Sequence, residues 1–185
     1  MIATKTARER TKAMQYKGIE LEGLDKDVKL AHSRFIETDE GTDWIDKLRS
    51  VDKQTLTHIQ FHEVSALNSV INMDYQICNG GLSQYFCNGY DRYRKPCHEQ
   101  DVEQLDKDAQ CDMLVELGTF AREVFPERVV ERQELLAMQE DLREAEEDDE
   151  EEYDGFDEFY FGVSDFVAIL CETYAQYLCK AYGIA

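Results

Sequence analysis

Apolar residues recur along this chain at steps of three and four, the signature of helices with one buried face. The clearest stripe is Phe61, Val64, Leu67, Ile71, Tyr75 and Cys78, which predicts a helix over 55–78. A second strong pattern covers 157–182, where Phe159, Val163, Phe166, Leu170, Tyr174, Tyr177 and Ala181 line one side. Val167, Cys171 and Leu178 widen that stripe, so this helix belongs at the centre of the core. A third pattern runs over 101–125 through Val102, Leu105, Ala109, Leu114, Leu117, Ala121 and Val124. Shorter signals add helices from Asp25 (Val28, Ala31, Phe35, Ile36), over 43–48 (Trp44 and Leu48 on one face), over 82–87, and after Val129 (Leu135, Leu136, Met138, Leu142). No sustained period-two alternation predicts a strand.

Stop signals fall between the stripes. Asn79-Gly80-Gly81 and Asn88-Gly89 suit helix ends, Tyr90–Glu99 reads as a loop around Pro96, Pro126 forces a boundary, and Gly183 suits a terminal cap. Two prolines and ten glycines in 185 residues are few breakers, and a 43% apolar content supplies a core. The expectation is an all-α fold, a single compact domain of about six to eight helices.

Charge adds a surface to that core. The chain carries 40 acidic and 20 basic residues, a net charge of −20. Residues 1–17 hold five bases (Lys5, Arg8, Arg10, Lys12, Lys17) against Glu9, a net +4, and read as a basic arm ahead of a helical domain over 18–185. Residues 140–158 hold thirteen acids against Arg143, a net −12. Such a run is commonly a solvated loop. The functional alternative is a row of charge. Carboxylates three or four apart on a helix lie about 5–6 Å apart, comparable to successive phosphates along a nucleic-acid strand.

Asn79, Gly80, Gly81, Gln84, Tyr85, Phe86 and Asn88 together resemble the NGG-x-x-Q-aromatic-aromatic-x-N signature of a family of small, acidic, all-helical DNA-mimic proteins. The resemblance is strong over residues 60–90 and looser to 182, and does not reach the first fifty. It implies a helical, possible homodimeric protein whose acidic surface occupies the nucleic-acid-binding site of another protein. From the residues themselves the motif reads as structural: the glycines permit a tight reversal, the two rings insert beneath it, and Gln84 and Asn88 bond backbone groups freed there.

Candidate partner-binding acids are Asp101, Glu103, Asp106, Asp108 and Asp112 on the helix over 101–125, and Glu140, Asp141, Glu144, Glu147, Asp148 and Glu151 in the tract. The expected function is a decoy for a transcription regulator or a restriction- or CRISPR-type nuclease. The partner is then a basic DNA- or RNA-binding protein. The alternative is a general acidic interaction module or chaperone for a basic partner, working through the tract alone. Direct nucleic-acid binding is disfavoured by the net charge.

Other chemistries fit less well. An EF-hand register with Gly155 at its glycine position puts Phe161 where the bidentate glutamate belongs. His58 and His62 lie four apart on a helix but lack the HExxH order and a third ligand. Cys97-His98 is an isolated pair in a loop. The six cysteines (78, 87, 97, 111, 171, 179) form no CxxC pair and read as reduced core thiols. No catalytic residue, metal or cofactor is expected. The absence of an apolar leader or an apolar membrane-length run points to the cytoplasm.

Overall fold

The computed structural model describes residues 14–23, 43–87, 107–144 and 150–184. Within them lie two short strands, five α-helices and one 3-10 turn: β1 (Met14–Tyr16), β2 (Ile19–Leu21), α1 (Asp43–Ser50), the turn Lys53–Thr55, α2 (His58–Cys87), α3 (Lys107–Val124), α4 (Val129–Glu144) and α5 (Glu150–Tyr182). The fold is predominantly helical, with fewer α-helices than the pattern predicts. The expected helix after Asp25 and the loop at Tyr90–Glu99 lie outside the described residues.

α5 is the axis of the bundle. Residues 170–176 are buried on every side, with Glu172, Thr173 and Gln176 enclosed among Leu170, Cys171, Tyr174 and Ala175. α1, α2, α3, α4 and β2 all pack against it. Its end follows the sequence signal: Gly183 adopts φ 67° and the Ile184 amide donates to the Cys179 carbonyl at 2.8 Å, a Schellman closure.

α2 starts three residues after the predicted Thr55. Asp52 caps the preceding 3-10 turn by accepting from the Gln54 amide, and Thr57 then forms a capping box with Gln60: Gln60 accepts from the Thr57 amide at 2.8 Å, and the Thr57 hydroxyl accepts from the Gln60 amide at 3.3 Å. Val64, Leu67, Val70, Ile71, Met73 and Ile77 are buried along it.

α3 and α4 form an antiparallel hairpin broken at Pro126, as the sequence predicts. They approach closely at Gly118, where an added Cβ would lie 3.2 Å from Leu136. Among its described side chains α4 buries Leu135, Met138, Gln139 and Leu142, whereas Val129 and Leu136, two of the apolar residues that predict the helix, are exposed. Val129 opens the helix at its first residue, and Leu136 leans outward over Gly118 instead of inward.

The strands correct the sequence reading. Three residues apiece are too short for alternation to register. The signal was in the turn: Lys17 (φ 47°) and Gly18 (φ 82°) both take positive φ, the geometry of a two-residue hairpin turn. Met14 pairs with Leu21 and Tyr16 with Ile19. The last four residues of the predicted basic arm therefore belong to a hairpin packed on the bundle. Tyr16 donates to Glu116 at 2.9 Å, Lys17 pairs with the same carboxylate at 3.2 Å, and Lys180 reaches Glu22 at 2.8 Å. Tyr16 packs edge-on against Phe120 and Tyr177. Among the described residues no helix is long and apolar enough to cross a membrane.

Candidate functional site

The Asn79–Asn88 motif breaks α2 in two. Gly80 is extended (φ −164°), whereas Gly81 sits at φ 74°, ψ −176°, a region open in practice to glycine alone. Space imposes the same requirement: a Cβ on Gly81 would lie 2.0 Å from Asp157 Oδ2. The other oxygen of that carboxylate accepts the Leu82 amide at 2.8 Å. Asp157 of α5 thus caps the second half of α2 from 75 positions away.

The motif's polar and aromatic residues turn inward. Gln84 folds back over Gly80 and donates to Gln76 at 2.9 Å, bridging the break through a side-chain amide rather than through a freed backbone group. Tyr85 and Phe86 are buried beneath it, with ring centroids 5.5 Å apart. The Tyr85 hydroxyl donates to Gln110 of α3, which donates to Ser69 of α2. Asn88 lies outside the described residues.

Two other carboxylates, both buried, also accept donors from distant elements. Tyr160 donates to Asp74 Oδ1 at 2.5 Å, and the Cys78 thiol approaches that oxygen at 3.7 Å. Glu172, 1% exposed, accepts the Trp44 amide at 2.7 Å and the Ile45 amide at 3.1 Å, so α5 caps the N-terminus of α1, where the helix dipole favours an anion. No local sequence pattern marks these roles. The available signal for Asp74 and Glu172 was a charge set inside an otherwise apolar helical run. Asp157 sat among the tract's acids with no local sign of its role.

Burial pushes the Cys78 thiol up to about 12, with Asp74 adding to the effect, and the Cys179 thiol up to about 11. Cys171 is raised as well, again by burial first. These are protonated, inert thiols, and Cys78, Cys111, Cys171 and Cys179 are unbridged, as the spacing implies. Cys97 lies outside the described residues.

The acidic candidates separate by place. Asp112 is exposed on α3, and Glu140 and Asp141 are exposed near the end of α4. The Cys111 thiol meets the Gln139 carbonyl at 3.9 Å, which sets these three acids at one end of the α3–α4 hairpin. Asp108 lies in the first turn of α3, Glu144 ends α4 and Glu151 is in the first turn of α5. Asp101, Glu103, Asp106, Glu147 and Asp148 fall outside the described residues.

Much of the tract is helical, in contrast to a solvated loop. Of its thirteen acids, Glu140, Asp141 and Glu144 lie on α4, and Glu150, Glu151, Glu152, Asp154, Asp157 and Glu158 on α5; three plus six makes nine on helical backbone. Acids in the last turns of α4 oppose the helix dipole, at about 0.3–1 kcal/mol each when exposed. Their placement works against local stability and has to be explained by something else.

His58 and His62 are exposed on the first turns of α2, with their Nε2 atoms 3.2 Å apart. Among the described residues no group of three or more His, Cys, Asp or Glu side chains is placed to hold a metal.

No curated protein and no solved structure matches the chain. The family comparison covers residues 62–180, from the first turns of α2 to the last turns of α5, and so spans the broken helix, its Asp157 cap and the α3–α4 hairpin while omitting β1, β2 and α1. On that match, which exceeds half of its length, the chain belongs to the DMP19-like protein family, that of DNA mimic protein 19.

Proposed function

We propose that the protein is a DNA mimic that occupies the nucleic-acid-binding site of a DNA-binding protein, a transcription regulator or a restriction- or CRISPR-type nuclease. The observation that carries this reading is the helical backbone beneath eight of the thirteen tract acids, the nine on α4 and α5 less Asp157, which caps Leu82. A surrogate for phosphates needs charge fixed in space, and helices supply it. Family membership supports the same reading, as does a net charge of −20.

The physics of such a complex is that of DNA binding. Lys and Arg side chains that neutralise phosphates release condensed counterions, and affinity falls steeply with salt. Carboxylates at the α3, α4 and α5 ends would meet those same side chains. The effect depends on the field of many charges, so removing one costs little and removing several together costs most of the affinity.

The test is capture from host lysate by the purified chain, repeated with excess duplex DNA and at raised salt. The expected result is a DNA-binding protein released by both. Capture that resists DNA and depends on residues 144–154 alone would instead identify a general acidic interaction module.

A further inference from the structure

The rings of His58 and His62 converge: their Nε2 atoms are 3.2 Å apart, with ring centroids at 4.3 Å and planes at 66°. A four-coordinate zinc holds imidazole nitrogens at about 2.0–2.1 Å, so two such ligands stand about 2.9 Å apart at a right angle and about 3.4 Å apart at the tetrahedral angle. The observed separation lies inside that interval, and rotation of the two exposed rings would splay their centroids from 4.3 Å to the roughly 5 Å at which both nitrogens address one ion. We propose that His58 and His62 form a bidentate surface site for one borderline divalent transition ion of the Zn2+, Ni2+ or Cu2+ class, with solvent completing the coordination.

The local structure pre-organises the pair. The Thr57–Gln60 capping box fixes the first turn of α2, so His58 projects from ordered helix and not from a fraying end. His62 stands one turn further along the same face. Both rings are exposed, so a hydrated ion can reach them.

Without metal, the pair shares one N–H···N hydrogen bond, which binding would exchange for two coordinate bonds. The positive end of α2 opposes a cation there. The net charge of −20 works the other way, raising the local concentration of cations. Imidazole donors select against Ca2+ and Mg2+, which prefer oxygen. This separates the pair from diffuse binding on the acidic tract. The sequence showed only the spacing; the convergence of the two nitrogens comes from the structure.

The test uses the untagged full chain titrated with ZnCl2 in excess Mg2+ by calorimetry, with imidazole nitrogen resonances followed by NMR. The expected result is one ion per chain at this site, with both Nε2 resonances shifting together. H58A and H62A should each weaken binding by about tenfold or more, because one ligand alone loses the chelate's effective concentration. The double variant should lose little more than either single one. Both side chains are exposed, so folding should be preserved. Zinc binding that survives both substitutions, or Nε2 resonances that do not move, would overturn the assignment.

Discussion

Glu172 in the middle of α5 and Asp141 near the end of α4 are both acids on long helices of one bundle, and they do opposite work. Glu172 is buried and accepts two backbone amides of α1. Buried Asp74 and half-buried Asp157 do the same kind of work, each accepting a donor from a distant element. Asp141, Glu140 and Asp112 point to solvent. The first set converts charge into fold, because each carboxylate satisfies donors that burial would otherwise leave unpaired. The second set carries charge outward with a small stability cost. A net charge of −20 therefore does not mean that every acid serves one purpose.

That contrast can be broken most strongly at Gly81. Replacing it by alanine forces a side chain into a glycine-only backbone region and against Asp157. Chemical denaturation should show a loss of at least about 3 kcal/mol. Removing the Asp157 side chain as well should recover part of that loss, since the clash goes while the backbone strain stays. An additive double variant would mean the carboxylate is not the obstacle. Next in size is E172A, which orphans two amides at about 1–3 kcal/mol each. E172Q keeps one acceptor oxygen and should lose roughly half as much. Y160F removes the donor to Asp74 and should cost about 1–3 kcal/mol.

The outward acids give the opposite outcome. D112N, E140Q and D141N should each change stability by less than about 0.5 kcal/mol, while the triple variant should lose most partner binding. A triple variant that unfolds would place these acids in the first set.

Glu63 offers the finest test, lying between the two sets. Burial holds its carboxyl above the usual range, with Lys17 opposing and Glu116 adding to the shift. A carboxyl raised in the folded state contributes stability that is full below its unfolded pKa and is lost as pH rises through the folded value. E63Q should therefore be more stable than the parent at neutral pH, and the advantage should fade as pH falls to about 4.

The helical part of this fold was legible because its signals are local. Stripes at steps of three and four marked α2, α3 and α5, and Pro126 and Gly183 marked ends. The hairpin was not, since three-residue strands leave no period and their hold on the bundle comes from Glu116, Gln176 and Lys180, far off in sequence. The glycine motif was legible as a break but not in its cause. Gly81 is required by a carboxylate 76 positions later, which no reading of neighbours could supply. For the acidic surface, composition gave the quantity of charge and only the structure separated outward acids from capping ones.

The most direct measurement is competition on an isolated partner. A fluorescently labelled duplex is bound to the captured DNA-binding protein and the chain is titrated in, with anisotropy as the readout. A DNA mimic displaces the duplex fully, with an effect that weakens steeply with salt and is lost in the D112N/E140Q/D141N variant. A stable ternary complex of partner, duplex and chain would contradict mimicry.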